Sequence, residues 1–204
     1  MQSRSIKTVL ALAPLLLSLG GSGCGSNTAG TGGGAGGTTA TTGPLNAADF
    51  GQKYKFSATD IAGWQQDPSD PGAYVTYTGG ELVQSIDGAA GIYTDKGAMV
   101  MMYQSLVGPD PQIAVVWAME FGTEALAAAM VDWERTDKTA TVSIPGYSNS
   151  VAIGYGTISG FTVYAHLKTS YFEVQLSGLG DQTSTCSECP VAAKFLDILS
   201  SKTN

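Results

Sequence analysis

The hydrophobic pattern of this chain changes period at Gly122-Thr123. Before that point the segment IAVVWAMEF reads with period two. Ile113, Val115, Trp117, Met119 and Phe121 point one way, while Ala114, Val116 and Ala118 point the other. Both faces are apolar, which predicts a central strand. After it, Leu126, Met130 and Trp133 recur at helical spacing, with Thr123 placed as N-cap and Glu124 complementing the first turn. The small residues of the second strand face leave room for this helix to lie close, and Asp132, Glu134 and Arg135 fall towards water.

The same reading places the remaining elements. Residues 98–107 alternate apolar groups on both faces and form a central neighbour of 113–121, joined through Gly108-Pro109-Asp110-Pro111. Runs at 139–144, 151–158, 161–168 and 171–177, separated by short turns, predict an antiparallel meander. In the third run Phe161, Val163, Ala165 and Leu167 face inwards and Thr162, Tyr164, His166 and Lys168 outwards. In the fourth, Phe172, Val174 and Leu176 go in, leaving Tyr171, Glu173 and Gln175 out. Ahead of these, LNAADF can open a short helix, YKFSA reads as a brief edge strand, Trp64 caps the core, and a strand follows at 73–78. GELVQSIDGAAGIYTDKG predicts a helix over about 80–95, with Leu82, Ile86 and Ala90 on one stripe and Gly97 as its stop. Gly88 and Gly91 inside that pattern signal close approach, either of a neighbouring strand or of a ligand. The last helix covers about 189–200, with Val191, Phe195 and Ile198 inward. The fold class is therefore α+β, an antiparallel-rich sheet flanked by helices.

Composition changes the picture mainly at the front of the chain. Only 13% of the 204 residues are charged, well below the quarter or so of an ordinary soluble domain. Arg4 and Lys7 precede an apolar run from Val9 to Leu19, too short to span a bilayer and followed by small residues, which is the pattern of a secretory signal over residues 1–23. Residues 25–43 are almost wholly Gly, Thr, Ala and Ser. A coil of this composition and length has a root-mean-square reach of roughly 25 Å, so residues 24–44 form a tether and 45–204 a single globular domain. Losing Arg4 and Lys7 with the signal takes the net charge from −7 to −9. That balance disfavours nucleic acid and anionic lipid, and leaves solubility, cationic ligands or basic partner surfaces as its uses.

Three cysteines leave one without a partner in a secreted chain. Cys186 and Cys189 sit three apart at the start of the last helix. A structural disulfide stiffening the junction is one reading. A redox-active C-x-x-C, its thiolate favoured by the helix N-terminus, is the other. Zinc would need two further ligands, and none suggest themselves. His166 is the chain's one histidine, placed on the polar face of its strand as a surface residue. No serine lies in a nucleophile-elbow pattern and no phosphate-cradling loop is present, so no catalytic residue, metal site or cofactor is assigned. The methionines around Met101 and Met102 alternate between strand faces and belong to core packing rather than to copper.

Two resemblances add to this. Gly21-Ser22-Gly23-Cys24 resembles the lipobox of bacterial lipoproteins, although Gly21 stands where that family usually has Leu. The resemblance implies signal cleavage before Cys24 and its lipidation, a lipid anchor as the membrane partner, and, with Gly25 following, the outer membrane. The alternative is ordinary cleavage nearby, with Cys24 left as a thiol. SIDGAAGIYTDKG, followed by paired strands and WAMEFGTEALAAA, resembles a bacterial family of unknown function with an Ile-Asn-Gly-Gly-Ala helix. Ile86, Gly88, Ala90, Tyr93, Gly97, Met119 and Ala125 match, Asp87 stands for Asn and Ala118 for Asp, and Gly63-Trp64 is similar to the family's opening. The resemblance implies a PsbP-like α/β/α sandwich and singles out Asp87, Gly88 and Tyr93 as ligand-binding candidates. The expectation is thus an envelope lipoprotein presenting a non-enzymatic binding domain for a small ligand or an envelope protein. The alternatives are a thiol-disulfide redox protein and a structural component of an envelope complex.

Overall fold

The structure, a computed structural model, describes residues 46–78, 80–82, 90–109, 111–138, 140–157, 160–178, 186 and 188–204. All of these belong to one compact unit. The predicted signal, Cys24 and the tether lie outside the described residues.

Helix α1 (Ala47–Tyr54) starts where Asn46 accepts a hydrogen bond from the Asp49 amide through its side chain. The chain then passes Trp64 into a two-residue strand β1 (Gln65–Gln66) and on to β2 (Tyr74–Thr78). Residues 80–82 are helical, and α2 (Ala90–Asp95) ends at Gly97, whose φ of 100° supplies the left-handed stop that glycine accommodates. Strands β3 (Ala98–Val107) and β4 (Ile113–Phe121) follow as a hairpin. Helix α3 (Glu124–Asp137) opens with Thr123 accepting from the Leu126 amide. Strands β5 (Val142–Ser143), β6 (Ala152–Thr157), β7 (Gly160–Leu167) and β8 (Ser170–Ser177) form the meander, and α4 (Cys189–Thr203) closes the chain.

The fold is α+β, an open antiparallel sheet flanked by helices. Among the described residues the sheet has eight strands in the order β1-β3-β4-β8-β7-β6-β5, and β2 pairs with β3 beside β1. The meander returns so that β8 lies against β4, over eight paired positions from Ile113↔Ser177 to Glu120↔Ser170. This closes the central strands on both sides, as their two apolar faces require.

One face of the sheet is dry. Ala114, Val116 and Ala118 join Met102, Leu106, Phe161, Val163, Phe172, Val174 and Leu176 there, under α1 and α4, which contribute Phe50, Tyr54, Phe195, Leu196 and Leu199. Gln104, buried there, is satisfied: its side-chain amide donates to the Phe56 carbonyl at 3.0 Å and its oxygen accepts from the Phe56 amide at 2.8 Å. Segment 54–58, read as an edge strand, is therefore not one. Tyr54 ends α1, and a side chain rather than a strand partners the Phe56 backbone.

The other face carries α2 and α3, and here two expectations are corrected. Helix α3 packs on the bulky face of β4, with Met119 and Phe121, instead of on the small-residue face. It buries Ala127, Met130, Val131 and Glu134, while Leu126 is 41% exposed. Small Ala127 lets the helix lie close, and the stripe that turns inward is offset from the one its largest side chains mark. Gly91, read as a point of close approach, has open space where a Cβ would stand. Gly88 lies outside the described residues.

Candidate functional site

Beneath α3, the outward face expected for β7 and β8 is covered. Tyr171 is fully buried, Glu173 is 8% exposed and Tyr164 is buried, so the alternation set their side of the sheet correctly but not their burial. His166 is buried as well, against its expectation as a surface residue. Its Nε2 donates to the Ser150 carbonyl at 3.2 Å, since a carbonyl can only accept, and Nδ1 has no partner. Glu134, expected in water, is 3% exposed.

Apart from His166, these groups belong to a polar network of two hydrogen-bonded clusters, coupled through the charge of Lys138. The Tyr171 hydroxyl donates to Glu134 Oε1 at 3.4 Å, and Lys138 Nζ pairs with Glu134 Oε2 at 3.1 Å. The Tyr93 hydroxyl, reaching from α2, donates to Glu173 Oε2 at 3.2 Å, and Gln175 Nε2 donates to Oε1 at 2.7 Å. Lys138 also lies over the rings of Tyr155 and Tyr164, at 5.8 and 5.6 Å from their centroids.

Burial raises the Glu173 carboxyl above the ordinary range against the opposing pull of Gln175, Tyr93 and Lys138. Burial likewise raises Glu134; Lys138 opposes this and the charge of Glu173 adds to it. Burial, then the two carboxylates, drive the Tyr93, Tyr164 and Tyr171 phenols far upward, so all three remain protonated donors. Two carboxylates in a covered site with one ammonium, which pairs directly with Glu134 and not with Glu173, is a costly arrangement, of the kind that gathers at functional positions.

Away from α3 the face opens. Glu173 stands directly opposite Trp117 on β4 and Tyr164 on β7, and Trp117 opposite Tyr103 on β3. This gives a cross-strand row Tyr103, Trp117, Glu173, Tyr164. The Tyr103 and Trp117 rings meet edge to face with centroids 4.7 Å apart. Both are half-buried, as are Val115, Thr162 and Tyr155 in the next row, while Gln175 is exposed and Ile113 is 42% exposed. Beyond the strip, at the ends of β4, β7 and β8, a cavity of about 130 Å³ is lined by Ile113, Val115, Phe161, Thr162, Gln175 and Leu176, and none of the four row residues lines it.

Of the ligand-binding candidates, Tyr93 takes part in the network, and Asp87 and Gly88 lie outside the described residues. Cys186 and Cys189 form a disulfide with Cα atoms 5.2 Å apart, at the start of α4. Glu188, between them and buried, leaves Oε1 without a hydrogen-bond partner.

The residues missed from sequence are Glu134, Tyr164, Tyr171 and Glu173. For Glu134 a signal existed: Ala127, Met130, Val131 and Glu134 fall at i, i+3, i+4 and i+7, and Lys138 one turn beyond supplies the countercharge.

No family model matches the chain, and no curated protein matches it. Among solved structures, the chain is similar to the extracellular domain of PknH from Mycobacterium tuberculosis, at 12% identity and a TM-score of 0.43, over 75% of this chain and 90% of that one. Among the described residues no helix is long and apolar enough to cross a membrane.

Proposed function

We propose that this protein is a cell-envelope lipoprotein, anchored through Cys24 and presenting a small non-enzymatic domain that binds its ligand on the open part of the mixed sheet face. The observation that carries the binding reading is Glu173, a covered carboxylate in a cross-strand row with Trp117 and two tyrosines. Nothing about the fold requires a carboxylate there, and a core built for stability alone would favour an apolar residue. The lipobox-like Gly21-Ser22-Gly23-Cys24 and the Gly-rich tether support the anchor, with the outer membrane favoured by Gly25.

Fractionation with mass spectrometry tests the anchor. Wild type is expected in the membrane fraction with an acylated N-terminal Cys24 peptide, and Cys24→Ser in the soluble fraction with its domain still folded. A wild-type peptide without acyl mass ends the lipoprotein reading.

A second reading, thiol-disulfide exchange at Cys186 and Cys189, is supported by the place of the bridge at the start of α4, with the buried Glu188 between the two cysteines. Titration against a glutathione series separates the two. A structural bridge has a potential below about −300 mV, and an exchanging one a less negative potential in the thioredoxin to DsbA range.

A further inference from the structure

We infer that the Tyr103, Trp117, Glu173, Tyr164 row is a binding site for a small organic cation, a guanidinium or alkylammonium head held between aromatic rings and the Glu173 carboxylate. The inference rests on the binding reading above and deepens it.

It begins with charge. The covered network holds two carboxylates, Glu134 and Glu173, and one ammonium, Lys138. Lys138 is committed to Glu134 and to the neighbouring Asp137, with which it also pairs at 2.6 Å. Glu173 accepts only from neutral donors, the Tyr93 hydroxyl and the Gln175 amide, and among the described residues no cation pairs with it directly. A carboxylate taken out of water without a paired cation is costly, and a bound cation removes that cost.

The surroundings fit the same chemistry. Electron-rich ring faces attract cations, most strongly tryptophan's, and Trp117 faces Glu173 across the β4-β8 pairing with Tyr103 against its ring. The chain uses this device elsewhere: Lys138 stands over Tyr155 and Tyr164 while it pairs with Glu134, and Lys202 over Phe56 while it pairs with Asp60. On the open side of Glu173 the aromatic rings are present, and among the described residues none supplies the cation. Tyr103, at the far end of the row, also feels the charges of Asp70 and Asp67, so the open side is negative at both ends.

Size selects the occupant. From β3 to β8 the open row crosses two strand spacings, roughly 10 Å. A stable protein interface covers about 800 Å² on each partner, far more than this strip offers. The occupant is therefore a small molecule.

The test uses the full chain and two cationic probes, tetramethylammonium and Nα-acetyl-arginine methyl ester, with Nα-acetyl-citrulline methyl ester, its α-amine likewise blocked, as the neutral counterpart of the second. The readout is the indole N–H resonance of Trp117 in nitrogen-15 correlation spectra, assigned by its loss in Trp117→Phe. Saturable shifts are expected with both cations and none with the citrulline ester, and Glu173→Gln should weaken binding by about tenfold or more. Tyr103→Leu, at a half-exposed position, provides a second variant should Glu173→Gln fail to fold, and is expected to weaken binding severalfold. Shifts that grow linearly without saturating, or that are unchanged in both variants, overturn the proposal. A panel of neutral sugars and end-blocked dipeptides separates the two levels: saturation by one of these at Trp117, with no response to cations, sinks the cation assignment and leaves the binding surface standing. Silence from every probe counts against both.

Discussion

The two faces of the sheet are built from the same strands, residue by residue in alternation, yet they solve different problems. Under α1 and α4 the face is close to pure hydrocarbon, and its inner polar groups, such as Gln104, are paired with backbone. Under α2 and α3 the face mixes methionine and phenylalanine with tyrosine, histidine and glutamate, and among the described residues one part of it has no helix over it. Burial of apolar area stabilises wherever it occurs, at roughly 25 cal/mol per Å², so the dry face suffices as a foundation. A foundation of that kind frees the opposite face to carry groups that cost stability.

The comparison breaks most readily at Phe172, which is fully buried on the dry face and stacks edge to face with Tyr54. Phe172→Ala is expected to destabilise by about 3–5 kcal/mol, read as the shift in a urea transition. A loss near that of an exposed residue would mean the dry face is not the foundation.

Next comes the bridge at the head of α4. Cys186→Ser/Cys189→Ser opens only a very short loop, so chain entropy predicts a loss of about 2 kcal/mol with the fold retained. Circular dichroism and thermal melts check this. Complete unfolding would show that α4 depends on the bridge for its docking.

On the mixed face the effects should be smaller. Trp117→Ala removes a large ring, but the ring is half-buried, and a loss of about 1–2 kcal/mol is expected from the area it covers. A loss comparable with that of Phe172→Ala would make Trp117 a core residue and erase the contrast between the faces.

The smallest effect is expected at Glu173, and it should have the opposite sign. Its carboxyl is raised in the folded state, by burial first, so the folded protein holds this proton more tightly than the unfolded chain does. Stability contributed here falls as pH rises through the window that begins near the ordinary value of 4.5 and ends at the raised folded value. The groups facing it are Tyr93 from α2, Glu134 and Lys138 at the end of α3, and Tyr164 and Tyr171 from the sheet. Glu173→Gln should therefore stabilise by on the order of 1 kcal/mol near neutral pH and converge on wild type below that window. A variant less stable than wild type at neutral pH would mean that the charged form is the favoured one.

Much of the dry face was legible because its strands carry apolar residues at every second position and its helices carry large ones in register. The β3-β4 pair, the meander and α4 were placed by that pattern alone. What the pattern lacks is knowledge of cover. Alternation assigned Tyr171, Glu173 and His166 to one side of the sheet, which is correct, but whether that side meets water depends on a helix from elsewhere in the chain. The seating of α3 was misread for a related reason: Leu126 and Trp133 are its most conspicuous apolar residues, yet close approach favours Ala127, and Glu134 is carried inward with it. At Phe56 a glutamine side chain, 48 residues away, acts as strand partner, and no local pattern encodes that.

The Tyr54 hydroxyl, described above only as part of the dry face, joins the two ends of the domain. It hydrogen-bonds Ser170 at 2.9 Å and Thr203 at 3.3 Å, across 116 and 149 residues of sequence. These two hydrogen bonds of the first helix thus form only when the last strand and the last helix have been made, although the helix also packs on β2 and β3, which precede them. Contacts of such long range form slowly, because the entropy of closing the intervening chain comes before any stabilising contact. Until α4 has been made, the Tyr54 hydroxyl therefore lacks one of its two partners, and the tie between the ends of the domain is the last part of this face to be completed.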